Sequence, residues 1–308
     1  IEFINDNMFY SYKKSGFISV NRLGKIDKIY NFNGYTQHHD YIYDKNNNKI
    51  LILANEKNSD TIEDIVISLD LSTGKINKEL DMKEILYDMY KTAIKPKNGN
   101  TYGGDELDWI HLNSLDLING KDVILSSREL SSLIYISDVY NNPKLKYIIS
   151  DSSMYENTKY EKYLYSKDGN FVSQAGQHTI TYINNDSNTY YLAMYNNNFG
   201  SSRTRPNFDW SNYKGVGTYK QGNKSMYYLY EVSDDNKSYK LVKTIDLPYS
   251  SIVSSIQNLT NNYVTSSGMN HSFGEYDSEG KLIMQFNYTS KKYAYRVFKY
   301  NFSKFWFN

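Results

Sequence analysis

The chain has 308 residues and a net charge of +1, from 35 basic and 34 acidic side chains that are interspersed along its length. This balance predicts no basic face for nucleic acid, and the absence of cysteine excludes disulfides, cysteine–zinc sites and thiol catalysis. No run of about 18 apolar residues occurs, so we expect no transmembrane helix.

Short runs that alternate apolar and polar residues follow one another along the chain, separated by Asn, Gly and Asp, and predict antiparallel strands. The clearest runs are residues 49–53, 65–69, 122–126, 133–136, 190–194, 226–232 and 295–300. Glycines in LSTGK (71–75), SKDGN (166–170) and DSEGK (277–281) indicate hairpin turns. Residues 80–94 have helical spacing and Asp81 as a cap, which predicts one surface helix between β units.

A unit of about four strands recurs weakly, and such repeats are typical of a β-propeller. Its copies begin near His39, His111, His178 and Ser254. We therefore predict an all-β propeller, in which the strand at 295–300 pairs with N-terminal strands and closes the ring.

The propeller geometry brings residues that are distant in sequence to one mouth of the central channel. Residues that start innermost strands and residues in the loops after second strands open on the same face. The side chains so placed are His39, His111, His178, Arg128, Arg203, Arg205 and His271. Histidine can act as nucleophile, general acid or base, or metal ligand, and channel mouths commonly hold ligands. The sequence therefore predicts a functional site here.

Several short motifs, in their order and spacing, resemble the bacterial arylsulfate sulfotransferases that do not use phosphoadenosine phosphosulfate. The motifs are DWIHLNS with DVILSSRELSSLIYI, then GQHT, an Asn-rich loop with arginine, and a late Tyr-Arg pair. The resemblance implies a six-bladed propeller with a short inserted helix, forming one catalytic domain over residues 1–308, with the family's N-terminal β-sandwich-like domain absent. It also implies ping-pong transfer of a sulfuryl group from a phenolic sulfate ester to a phenol, through a sulfohistidine.

The resemblance assigns roles to individual residues. His271 matches the histidine that becomes sulfated, and the other catalytic matches are His111, His178 and Arg203, with Arg203 preferred to Arg205. Substrate-binding positions are Arg205, Tyr295, Arg296, Asn113, His39 and Arg128. Structural roles are the alternatives: His111 could tie a blade together through Asn113, and Arg128 could hold adjacent blades through a salt bridge.

The expected partners are a small-molecule phenolic sulfate and a phenol acceptor, with no nucleic acid, no metal and no other cofactor. The prediction allows a homodimer and places the protein outside the cell, at its surface or in the periplasm. Two other functions stay open. One is a metal-dependent propeller hydrolase or lyase with His38, His39, His111 and His178 as ligands. The other is a non-catalytic ligand-binding propeller.

Overall fold

The computed structural model describes residues 1–184, 188–211 and 213–302, and these residues form five sheets that follow one another in chain order. The first sheet contains β1 (Glu2–Ile4), β2 (Asn7–Tyr12), β3 (Gly16–Val20) and β4 (Ile26–Asn31). The second contains β5 (Tyr35–Asp44), β6 (Lys49–Glu56), β7 (Ile65–Asp70) and β8 (Ile76–Asp81). The third contains β9 (Leu112–Ile118), β10 (Asp122–Ser127), β11 (Ser132–Ser137) and β12 (Lys144–Ile149).

The fourth sheet has an added edge strand. It contains β13 (Ser166–Lys167), β14 (His178–Asn184), β15 (Thr189–Asn196), β16 (Ser225–Ser233) and β17 (Ser238–Leu247). The fifth contains β18 (Ser255–Asn258), β19 (Asn262–Ser267), β20 (Ser272–Asp277) and β21 (Leu282–Asn287). Neighbouring strands within a sheet pair antiparallel, except that β13 lies parallel to β17. The protein is thus all-β and propeller-like.

The prediction of six blades was wrong, because the described residues form five sheets. Residues 295–300, which we expected to close the ring as a strand, form no strand. The Val297 N–H donates to Ser255 Oγ at 3.0 Å, and the Lys299 N–H donates to Gln257 Oε1 at 2.7 Å. Side chains of β18 therefore bind the main-chain groups that a strand partner would use. The Tyr300 hydroxyl donates to the Ile1 carbonyl at 3.1 Å and links this segment to the N-terminal sheet.

The helical prediction was correct in place but not in length. The segment forms α1 (Met82–Ile85) and α2 (Tyr87–Lys91), separated at Leu86, whose φ of −115° and ψ of 45° are not helical. The Asp81 carboxylate accepts from the Lys83 N–H at 3.0 Å, as its predicted capping role requires. Three 3₁₀ turns complete the described helical residues: Ser152–Met154, Glu161–Tyr163 and Gly268–Asn270.

Two of the three predicted hairpin turns are present. Gly74 joins β7 to β8 with φ 76°, and Gly280 joins β20 to β21 with φ 86°. The third prediction was wrong, since Ser166–Lys167 forms the parallel edge strand β13 and makes no hairpin.

Apolar side chains fill the spaces between successive sheets. The largest cluster, which includes Leu51 and Leu125, lies between the second and third sheets. The next, which includes Ile124 and Leu192, joins the third and fourth. β6 and β10 are buried on both faces, which explains why their sequences read as nearly continuous apolar runs. This packing brings β5, β9 and β14, which are edge strands of the second, third and fourth sheets, side by side. In the described part of the chain, no helix has the length and apolarity needed to span a bilayer.

Candidate active site

Four of the five histidines lie on or next to β5, β9 and β14, where these strands are side by side. The ring centroids of His39 and His111 are 4.9 Å apart, and the Tyr295 ring lies 5.3 Å from His39 and 6.1 Å from His178. Charged residues surround these rings. We use the name central cluster for His38, His39, Glu63, Asp108, His111, Arg128, His178, Tyr295 and Arg296.

Irregular backbone aims the histidines into the cluster. The pairing of β5 with β6 shifts register between Gln37 and Tyr41, and His39 within that bulge has φ 47°. His111, immediately before β9, has φ 49°. The pairing of β14 with β15 shifts register after His178, where Thr179 has φ 54°. Bulges and left-handed residues other than glycine re-aim side chains and concentrate at functional sites.

His111 is held by two carboxylates. Its Nδ1 lies 2.7 Å from Asp108 Oδ2 and also contacts Glu63 Oε2. Burial and the nearby Arg128 oppose a charge on this ring, but Asp108 and Glu63 outweigh them and raise the pKa of His111 to about 9. His111 is therefore an imidazolium at neutral pH, with Nδ1 bound to protein and an N–H at Nε2 available to a ligand.

The environment of His178 favours a neutral ring, in contrast to that of His111. It is 2 % exposed, and its Nδ1 faces two acceptors, Asn197 Oδ1 at 2.7 Å and the Gly176 carbonyl at 3.1 Å. The Asn197 amide nitrogen donates to the carbonyls of Ser250 and Val253, which fixes its oxygen towards His178. Burial lowers the pKa of His178 to about 3. The ring is therefore neutral, with its proton on Nδ1 and a lone pair on Nε2.

His38 and His39 are adjacent and neutral. Their Nδ1 atoms are 2.9 Å apart, and His39 Nδ1 is 3.4 Å from Glu63 Oε1. Burial lowers the pKa of His38 to about 4 and that of His39 well below its usual value. Among the described residues, Nε2 of His39, like that of His111 and His178, forms no hydrogen bond with the protein. Three imidazole Nε2 atoms are thus left for a ligand.

Arg128 brings a positive charge to the central cluster, and its guanidinium makes only long ion-pair contacts with the protein. Its Nη2 lies 3.8 Å from Asp108 Oδ2 and 3.6 Å from Glu129 Oε2, and within the described ranges its guanidinium donates no hydrogen bond. The Glu129 carboxylate is bound by Ser202 and Thr204. The Arg128 fork is therefore open to an oxyanion.

The late Tyr-Arg pair joins the cluster from the C-terminal segment. Arg296 pairs with Asp40 and donates to the Asn113 carbonyl at 3.1 Å, and the Tyr295 hydroxyl donates to that carbonyl at 3.3 Å. The Asn113 side chain donates to the Gln177 carbonyl at 2.7 Å, which ties the third sheet to the fourth. Asn113 thus holds the segment and the sheets together.

A cavity of about 440 Å³ opens beside His39. Its walls include three aromatic rings (Tyr41, Phe298 and Tyr300), with Arg296 and Asp40 also lining it. Aromatic walls of this kind suit a planar apolar ring.

The structure does not bring every predicted site residue to the cluster. His271 has ring contacts with Tyr288 and Tyr293, 5.2 and 5.5 Å away, and no described contact with the cluster. Arg203 donates to Gly99 and Thr101 on an exposed loop. Arg205 is bonded to the Met89 and Trp109 carbonyls beneath α2. Arg128 and Arg296 are the arginines that face the histidines.

Sequence reasoning missed three side chains that control the histidines: Glu63, Asp108 and Asn197. The Asp108 carboxylate lies 2.7 Å from His111 Nδ1. Glu63 lies in the loop between β6 and β7, the same blade position that Arg128 occupies between β10 and β11. This equivalent position could have indicated Glu63 as a site residue. The same reasoning could have indicated Asn197, because it immediately follows β15.

Two overlapping groups within the cluster have the composition of a metal site. His38, His39 and Glu63 form one group, and Glu63, Asp108 and His111 form the other, with ligand atoms within 4.8 Å of each other. The same side chains also contact one another, so hydrogen bonds and ion pairs within each group hold it together without an ion.

Comparison with known proteins gives one extensive match: the family model described as arylsulfotransferase (ASST) covers residues 1–302. No curated protein matches the sequence. Among solved structures, the chain is similar to streptogramin B lyase (9 % identity, TM-score 0.42, 93 % of this chain and 81 % of that one). It is also similar to a chain of a nidogen/laminin complex (7 %, 0.41, 94 % and 96 %) and to Kluyveromyces lactis Hsv2p (10 %, 0.41, 93 % and 62 %).

Proposed function

Since this chain belongs to the arylsulfotransferase family and is an aryl sulfotransferase independent of phosphoadenosine phosphosulfate, we propose that it works by a ping-pong route with His178 as the nucleophile. A small-molecule sulfate donor and a phenol acceptor fit this family. The observation that carries the proposal is the presence of a neutral His178 and a charged His111 in one cluster, which His39 and Tyr295 connect.

His178 has the properties that a nucleophile for sulfur needs. Its Nε2 carries the lone pair because Nδ1–H is committed to Asn197 and Gly176. Attack of Nε2 on the donor forms an N–S bond while the phenolic O–S bond breaks, which divides one difficult transfer into two steps. The contacts of His271 are with tyrosines outside the cluster. We therefore propose His178 for the role that the sequence resemblance gave to His271.

His111 provides the proton. Its imidazolium donates from Nε2 to the departing phenolate and recovers a proton from the acceptor phenol in the second step. The pKa of about 9 is close to that of phenols, about 10, so the proton moves in either direction at little cost.

Charged donors hold the sulfuryl oxygens. Sulfuryl transfer, like phosphoryl transfer, places its charge on peripheral oxygens, so fixed donors provide most of the stabilisation. The open guanidinium of Arg128 is the best-placed of these, and His111 adds a second cation. The aryl group then fits the aromatic cavity beside His39.

Initial-rate kinetics test the route. With a chromogenic aryl sulfate and a phenol acceptor, a ping-pong reaction gives parallel double-reciprocal lines. His178→Ala should abolish phenol release, whereas His271→Ala should retain it. Converging lines would indicate direct transfer within a ternary complex and would contradict the sulfohistidine.

A metal-dependent hydrolase activity of the same cluster is a second candidate function, and the two metal-capable groups at Glu63 favour it. Dialysis against a chelator distinguishes the candidates. The sulfotransferase retains its activity after dialysis, whereas the hydrolase loses it and regains it with added metal.

A further inference from the structure

Tyr102 is a phenol of the enzyme's own chain whose hydroxyl lies at the central cluster. Its side chain is 60 % exposed, yet its hydroxyl donates to Glu63 Oε1 at 2.7 Å. Glu63 is 1 % exposed, and its carboxylate also approaches His39 Nδ1 at 3.4 Å and contacts His111 Nδ1. The phenol of Tyr102 is therefore bound next to the acid–base groups of the proposed reaction.

A well-defined turn holds Tyr102 in this position. The buried Asn100 accepts the N–H groups of Tyr102 and Gly104 at its Oδ1, at 2.9 and 3.0 Å. Gly99 has φ 73°, and a Cβ there would lie 2.5 Å from the Gly104 carbonyl oxygen, so the turn requires glycine at this position. Arg203, in the loop between β15 and β16, donates a hydrogen bond of 3.0 Å to the Gly99 carbonyl. Arg203 thus stabilises the turn that presents Tyr102.

We propose that Tyr102 is an internal acceptor, and that the enzyme transfers a sulfuryl group to Tyr102 when no external phenol is available. This rests on the proposed function. Tyr102 has the functional group of an external acceptor, a carboxylate positioned to take its proton, and an aromatic ring that reaches the cluster from solvent. The Glu63 carboxylate that binds Tyr102 also lies 3.4 Å from His39 Nδ1, and the rings of His39 and His178 both lie against the Tyr295 ring, at centroid distances of 5.3 and 6.1 Å.

The step balances without any further reactant. The Tyr102 oxygen forms a bond to sulfur as the bond between sulfur and His178 Nε2 breaks. The hydroxyl proton passes to Glu63 Oε1, and His178 returns to a neutral imidazole. The product is a tyrosine O-sulfate at position 102.

Tyr295, the other phenol of the cluster, is a poorer acceptor. Its hydroxyl donates to the Asn113 carbonyl, which cannot take a proton, whereas that of Tyr102 donates to a carboxylate. The geometry therefore selects Tyr102.

The number of phenols released per chain tests the proposal. With an aryl sulfate donor and no acceptor, the wild type should release two equivalents in the burst, one for His178 and one for Tyr102. Tyr102→Phe should release one and His178→Ala none. Tyr87→Phe alters a tyrosine on α2 that is comparably exposed, at 50 %, and should still release two equivalents.

Peptide mapping identifies the labelled residues. When the reaction without acceptor is quenched, the two SO₃ groups should map to His178 and to the peptide that contains Tyr102. A wild-type burst of one equivalent, or a second label on another tyrosine, would overturn the proposal. Failure of the wild type to release phenol even with acceptor present would refute the proposed function itself.

Discussion

The Nδ1 atom of His178 lies 2.7 Å from Oδ1 of Asn197, and this hydrogen bond determines which nitrogen of the ring faces the central cluster. Asn197 immediately follows β15, and His178 begins β14, so the two residues come from neighbouring strands of one sheet. Asn197 is in turn bound to main-chain carbonyls that precede the fifth sheet. The orientation of the His178 ring therefore depends on contacts between the fourth and fifth sheets.

Substitution of Asn197 should change the pH dependence of the enzyme. Asn197→Ala removes the acceptor that orients His178 and should lower kcat about a hundredfold. Asn197→Asp places a carboxylate at Nδ1 and should raise the pKa of His178, so that the acid limb of the pH–rate profile moves to higher pH. A profile for Asn197→Asp that coincides with the wild-type profile would show that this contact does not control the nucleophile.

The rate constant of the phenol-release burst should decline as the pH rises through about 9. His111 must carry its proton to protonate the departing phenolate, and its pKa in the folded protein is about 9. Asp108→Asn removes one of the two carboxylates that support this charge, so the decline should begin at lower pH. Stopped-flow measurement of the burst between pH 6 and pH 10 checks both expectations. A burst that stays constant over this range would exclude His111 as the acid.

Arg128 should be needed for its geometry as well as its charge. Arg128→Ala should lower kcat by ~10²–10³-fold, the range for loss of an oxyanion donor. Arg128→Lys retains the charge but loses the planar fork, so it should recover only part of that loss. Arg205→Lys is the matched control, because Arg205 is a half-buried arginine that binds main-chain carbonyls outside the central cluster. We expect Arg205→Lys to lower the Tm and to leave kcat within about threefold of the wild-type value. If Arg128→Lys were fully active, the charge of Arg128 alone would account for its role.

Acid should destabilise the fold through its buried neutral histidines. Burial holds the pKa of His38 at about 4 and that of His178 at about 3, both below the value of about 6.5 for an unfolded chain. The unfolded state therefore binds more protons below pH 6.5, and stability falls from there towards pH 3. The loss should be on the order of several kcal/mol.

Urea unfolding at pH 7 and pH 5 measures this loss. His38→Gln should show a smaller difference between the two pH values than the wild type, because one of the titrating groups is removed. An equal difference in the variant and the wild type would assign the acid sensitivity to other groups.

The sequence was sufficient to predict the β-propeller architecture because alternation and turn glycines are local signals. It could not predict the number of blades. The alternation at residues 295–300 is that of a strand, but whether a strand partner is available depends on β18, whose Ser255 and Gln257 side chains bind the main chain there.

The sequence predicted some of the residues that lie close together in the candidate site, and the roles assigned to them stay predictions. His111, His178 and His39 are attached to innermost strands, so the fold alone brings them together. His271 and Arg203 lie in loops, where the direction of a side chain depends on loop conformation that motif spacing does not report. Glu63 and Asn197 were missed because a lone acid or amide has no motif. The expected homodimer and the location outside the cytoplasm stay predictions.

The most direct test of the account is to locate the sulfuryl group on the protein after rapid mixing with an aryl sulfate. The reaction is quenched in base, and the digested chain is mapped by mass spectrometry. The account predicts one acceptor-dischargeable SO₃ group on His178, absent from His178→Ala. An acceptor-dischargeable group on His271 instead, or phenol transfer with no sulfated histidine at all, would contradict it.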